Sequence, residues 1–120
     1  MKVPDENIIV KKTEDFAIRA INLYKFLTEK HETVMSKQIL RSGTSIGANI
    51  AESQNAESRS DFIHKLAIAT KECNETRFWL KILWKTNYLN DDFYHSLMND
   101  ANEIYFILIR IINTSKGSGN

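Results

Sequence analysis

Arg59 and His64 stand in an Arg-x4-His arrangement, a spacing found in a class of helical ribonucleases. In such a site the imidazole acts as acid or base and the guanidinium stabilises charge developing on a phosphate. A chain with five arginines and three histidines meets that spacing by chance often enough to make it a weak motif. Arg59 also falls in the polar connection "SQNAESRS". A weak ribonuclease using Arg59 and His64 is therefore one alternative reading, a purely structural protein-interaction module is another, and the leading reading assigns no catalytic residue. Metal chemistry has even less support. A di-iron bundle needs two Glu-x-x-His pairs and two further carboxylates, whereas Asp61-x-x-His64 occurs once, with the wrong acid. His31 and His95 have no partner at ligand spacing, so no metal and no other cofactor is expected. Cys73 sits in an apolar register and reads as a small buried hydrophobe rather than a nucleophile. As the single cysteine it cannot form an internal disulfide, which suits a reducing compartment.

The charged residues are more informative than the nucleophiles. Sixteen Lys and Arg against fifteen Asp and Glu leave a net charge of +1, so only their distribution can favour a polyanion. Arg77, Lys81 and Lys85 recur every four residues behind Asn74 and form one ridge. Lys37 and Arg41 are likewise i, i+4, on the side opposite Ile39 and Ile46. The last third instead carries Asp91, Asp92, Asp100 and Glu103. The five basic positions, Lys37, Arg41, Arg77, Lys81 and Lys85, are the candidates for contacting nucleic-acid phosphates. Glu72 and Glu75 share a face, with Lys71 an i, i+4 partner for Glu75. Asn49 and Glu52 are placed for capping and inter-helix hydrogen bonds.

The elements that position these residues follow from periodicity. Thr13 as N-cap, then Phe16, Ala20, Leu23 and Leu27 at helical spacing, predict a first helix. Asn7–Val10 before it is β-branched and expected to be extended or fraying. Met35, Ile39, Ile46 and Ile50 define a second helix. Phe62, Leu66, Ala69, Cys73, Thr76, Leu80 and Leu83 alternate fours and threes, the seam of a bundle, behind the possible caps Ser58 and Ser60. A fourth stripe runs through Phe93, Leu97, Ala101, Ile104, Leu108 and Ile112. Short polar breaks between the stripes predict an all-α, antiparallel up-down four-helix bundle over residues 13–114. Residues 1–12 are then an N-terminal extension and 115–120 a disordered tail. No apolar run reaches the ~20 residues of a membrane helix and no secretory signal is visible, so a cytoplasmic protein without a membrane partner is expected.

The segment "RSGTSIGANIAES" interrupts this pattern with poor helix formers. The isoleucine period runs through it unbroken, so it is predicted to be helix. Gly43, Gly47 and Ala51, four apart, are predicted to form a small-residue row that lets another backbone come close. Bulk is in excess elsewhere. "IYFILIRII" is apolar almost all round, and Ile68, Phe78, Trp79 and Ile82 lie outside the seam of the third helix. With Phe106 and Ile107 they are the candidates for a homo-oligomer interface, because a bundle buries one stripe per helix.

The stretch "QILRSGTSIGANIAESQNAESRSDF", followed by "KLAIATKECNET", resembles a four-helix-bundle family first noted as proteins encoded in intervening sequences of bacterial 23S ribosomal RNA genes. Arg41, Ser45, Ile46, Ala48 to Glu52, and Ile68 with Ala69 carry the resemblance, whereas Arg59 directly precedes Ser60 and departs from the family's Arg-x-Ser spacing. It implies bundles assembled as pentameric rings, some with a basic channel, and no established enzymatic activity. Related accessory proteins of diversity-generating retroelements work with a reverse transcriptase and nucleic acid. The expected partners are thus further copies of the chain, RNA or DNA, and a nucleic-acid enzyme.

Overall fold

A computed structural model describes residues 4–117. It contains α1 (Pro4–Glu29), α2 (Met35–Ser53), α3 (Arg59–Lys85) and α4 (Asp91–Gly117). The three connections span five residues each (30–34, 54–58 and 86–90), too short for anything but antiparallel neighbours. Each helix packs on the next, α4 closes back on α1, and the whole is 50 Å long. The predicted four-helix bundle is the fold.

The predicted stripes meet in the middle. Leu66, Ala69, Cys73, Thr76, Leu80 and Leu83 are all buried in α3, opposite Leu97, Ala101, Ile104 and Leu108 of α4. Cys73 Sγ donates to the Ala101 carbonyl at 3.3 Å. Phe16, Leu23 and Leu27 of α1 and Ile39, Ile46 and Ile50 of α2 complete the core. The α1–α4 seam carries ion pairs along its length: Lys12–Glu103 at 2.5 Å, Arg19–Asp100 at 2.6 Å and Arg110–Asp5 at 3.2 Å.

Two boundaries differ from the sequence reading. Most of the expected N-terminal extension, 1–12, is the first two turns of α1, which starts at Pro4. A proline suits the first helical position, where its missing N–H would have had no partner. Ile9 is buried, and this packing overrides the weak helix preference of Asn7–Val10. Thr13 is therefore no N-cap, and its hydroxyl bonds back to the Ile9 carbonyl at 2.7 Å inside the helix. At the other end α4 continues through Gly117, so residues 115–117 of the expected tail are helical. The remaining parts of both calls, 1–3 and 118–120, lie outside the described residues.

The caps show what sequence offers and what it hides. Ser58 accepts from the Asp61 N–H at 3.0 Å, and Asp61 Oδ2 accepts from the N–H of Glu57, just before the cap, at 3.2 Å. Asn90 caps α4 through the Phe93 N–H at 2.8 Å. The start of α2 is capped from outside the helix. His31 takes a left-handed φ of 64°, which turns the buried Glu32 carboxylate onto the N–H groups of Val34, Met35 and Ser36.

The glycine segment is helical, as its period predicts. A Cβ on Gly43 would lie 2.7 Å from Ala20 Cβ, and one on Gly47 would lie 3.0 Å from the Thr13 carbonyl oxygen. Both glycines are where α1 and α2 touch. Ala51 is not part of that contact: it is exposed. Steps of four residues drift by about 40° around a helix, so the third member of the row has turned away.

Candidate nucleic-acid interface

The five predicted cations fall into two groups that α3 keeps apart. Arg41 leaves α2 and reaches the near flank of α3, where it bonds Glu72 at 2.9 Å and Glu75. Its hydrogen bonds to Glu75 and then Glu72 raise the guanidinium pKa, and in return hold the Glu75 carboxyl below its usual range. Glu75 also accepts from the Trp79 indole N–H at 3.1 Å, so Arg41 and Trp79, rather than Lys71, are the partners shown. The expectation that Arg41 adds free positive charge is thereby corrected, because two carboxylates already offset it. Lys37 stays exposed on α2, one turn before Arg41.

Arg77, Lys81 and Lys85 are different. Positions 75 and 77 point to opposite sides of α3, since two residues turn about 200°. Among the described residues Lys71, Arg77, Lys81 and Lys85 form no ion pair with a carboxylate. Arg77 donates to Asn74 Oδ1 at 3.1 Å and lies over the Tyr105 ring at 4.7 Å, contacts that orient it while keeping its charge. The Lys85 ammonium is 5.5 Å from the Trp84 ring centre. Arg77, Lys81 and Lys85 run along one flank of α3, and Arg77 and Lys81 border a groove between α3 and α4. Beside Arg77 and Lys81 stands Phe78, 54% exposed.

The interface candidates also separate. Ile107 is 4% exposed and belongs to the core, which corrects its assignment to an oligomer surface. It points between α4 and α1, where the α4 stripe is wider than one residue per turn. Phe106, its neighbour in sequence, is 57% exposed. Ile68 and Ile82 are half-buried, and Trp79 packs partly on the core. Ile18 and Ile21 on α1 are exposed apolar residues that the stripe analysis left out.

The catalytic alternative is not assembled. Five residues along α3 place Arg59 and His64 about 140° apart. Arg59 donates to the Ser115 carbonyl at 3.3 Å, on the side of α4, and His64 is exposed on another face. Asp61 is committed to the Ser58 cap. Burial pushes the Cys73 thiol up to about 12, so it stays protonated and inert at neutral pH. Among the described residues no cluster of three metal-ligating side chains occurs, and no helix is long and apolar enough to cross a membrane. An open cavity of about 480 Å³ at the end of the bundle, between Asp5, Gln54, Arg59 and Ile111, has no signature in the sequence, because it is built from four helix termini.

The inter-helix role expected for Glu52 is present as its 3.0 Å ion pair with Lys65, from α2 to α3. Asn49 instead bonds within α2, to the Ser45 carbonyl at 2.8 Å. Of the residues that carried the resemblance, Ile46, Ile50 and Ala69 are core, and the Arg41 cluster fastens α2 to α3. The motif reads as a packing signature.

Comparison with known proteins bears out the family resemblance. The model of the 23S rRNA-intervening sequence protein family matches residues 5–110. A crystal structure from Bacteroides thetaiotaomicron, of a protein with unknown function from the S23 ribosomal protein family, is 56% identical. It covers 92% of this chain and 99% of its own, with a TM-score of 0.90. No curated protein matches.

Proposed function

We propose that this chain, which belongs to the 23S rRNA-intervening sequence protein family, is a non-enzymatic, homo-oligomeric binding module that holds nucleic acid on the outer face of α3. The observation that carries the reading is charge segregation. Among the described residues Arg41, Arg19, Arg110, Lys12 and Lys65 each sit on a carboxylate, whereas Arg77, Lys81 and Lys85, on one flank of α3, form no ion pair with one. Neutralising phosphates releases counterions, so such a face gains affinity from each of its cations. Because the net charge is only +1 per chain, assembly matters. A ring repeats the basic face around an axis, and the family resemblance implies five copies. Exposed Ile18 and Ile21 on α1 and Phe106 on α4 provide two unlike apolar patches, which head-to-tail closure requires. A cytoplasmic scaffold for a nucleic-acid enzyme is the same reading with one more partner.

Binding to RNA or DNA is expected to weaken steeply with salt, each neutralised phosphate adding about −0.7 to −0.9 to the log–log slope. Replacing Arg77, Lys81 and Lys85 together with Gln should flatten the slope and leave helicity and particle mass unchanged. His64→Ala should do neither. RNA cleavage by the pure protein, lost in His64→Ala, would instead establish the ribonuclease reading.

Assembly has its own test. Light scattering should give a mass several times 13.9 kDa. Phe106→Glu should lower it while far-UV circular dichroism stays helical, since an unpaired charge resists burial at an interface. A 13.9 kDa particle from the unmodified protein overturns the oligomer.

A further inference from the structure

Phe78 projects from the side of α3 turned away from the core, with basic residues around it. Beside it runs a groove of about 430 Å³ between α3 and α4, lined by Asn74, Arg77, Phe78 and Lys81 on one bank and Tyr94, Met98 and Asn102 on the other. No acidic residue lines it. The Phe78 ring is braced edge-on by Trp79, with centroids 5.1 Å apart and planes at 75°, which leaves ring surface free to stack. Across the groove, Asn102 is half-buried, and its Oδ1 is shielded from solvent with no hydrogen-bond partner.

We infer that this groove is a binding site for single-stranded nucleic acid, in which a base stacks on Phe78 while Lys81 and Arg77 hold the flanking phosphates. The inference rests on the nucleic-acid reading above and narrows it. A duplex presents phosphates and groove edges but hides the faces of its bases. An aromatic ring set among cations adds nothing to its binding. Unpaired bases offer a free π-face, and stacking on an aromatic side chain is the usual sequence-tolerant way to hold them. The volume suits the same occupant. It lies toward the lower end of the roughly 300–1,000 Å³ of small-ligand sites, enough for a nucleobase and far too narrow for a helix. The two cations on the α3 bank favour an anionic occupant over an apolar peptide.

The experiment compares a twenty-nucleotide oligo-dT with a duplex of equal length at one salt concentration, read by anisotropy of labelled nucleic acid and by tryptophan fluorescence. The single strand should bind more tightly. Phe78→Ala should weaken it by about 5- to 150-fold, the loss expected for one stacked base. The same change should leave duplex affinity, the salt slope and particle mass unaltered, and Phe78→Trp should restore single-strand binding. Salt-dependent binding that favours duplex, or that Phe78→Ala weakens equally for both, overturns this site and leaves the wider nucleic-acid reading standing. A particle mass that falls in Phe78→Ala also overturns it, by giving Phe78 to a second copy. Binding of neither nucleic acid overturns both.

Discussion

Ile107→Glu is expected to abolish the cooperative thermal melt, or to lower stability by about 5 kcal/mol or more, as judged by circular dichroism against temperature and denaturant. Ile107 is 4% exposed and lies in the core cluster with Ile104, Leu108 and Ile111. The substitution removes a full apolar burial, worth about 2 kcal/mol or more. It also buries a carboxylate in the apolar core, at a cost of several kcal/mol. A domain of this size has about 5–15 kcal/mol in total, so little would remain. Phe106→Glu, one residue away and 57% exposed, should keep a cooperative melt of the folded subunit. Equal damage from both substitutions would show that α4 is rotated from the position described.

Gly47→Leu is expected to lower stability by about 1–3 kcal/mol, although leucine is the better helix former by up to about 1 kcal/mol. The reason is the 3.0 Å between a Cβ at Gly47 and the Thr13 carbonyl oxygen, which is backbone and cannot rotate aside. The rest of a leucine side chain would lever α1 off α2. Gly43→Ala tests the neighbouring contact more finely. Its Cβ would meet Ala20 Cβ at 2.7 Å, so the helices must part. Ala20→Gly removes that obstacle. In a double-mutant cycle the second change should cost less in the Gly43→Ala background than alone, the coupling expected of residues in contact. A melting temperature that rises in Gly47→Leu would mean that the site is open and the close approach absent.

The close approach had been legible as a pattern, but its partner had not. Two glycines and an alanine four apart announced a face without bulk. The identity of what lies against it, Ala20 and the Thr13 backbone, depends on how α1 is placed along α2. The same limit governed the basic residues. Arg41 and Arg77 look alike in sequence, each a cation one turn from another. A guanidinium spans several ångströms, and whether a carboxylate waits at its far end is decided by the neighbouring helix. Glu72 and Glu75 wait for Arg41, while Asn74 and the Tyr105 ring wait for Arg77.

By itself the sequence determined the four helices, their antiparallel order and nearly every residue of the α3 seam. Each of these follows from spacing within one helix, where 3.6 residues per turn sets which side chains share a face. Tertiary structure alone decided the rest. It drew Pro4–Lys12 into α1 through the burial of Ile9. It turned Glu32 back onto α2 through a left-handed residue whose need lies outside the helix. It sent Ile107 inward and Phe106 outward within a run where almost every residue is apolar and no stripe stands out. It also brought Phe78 and Asn102 to one groove, a distance of twenty-four residues along the chain that only the pairing of α3 with α4 closes. Contacts between helices depend on register and rotation of whole elements, and those degrees of freedom are set by the packed core rather than by any local run of residues.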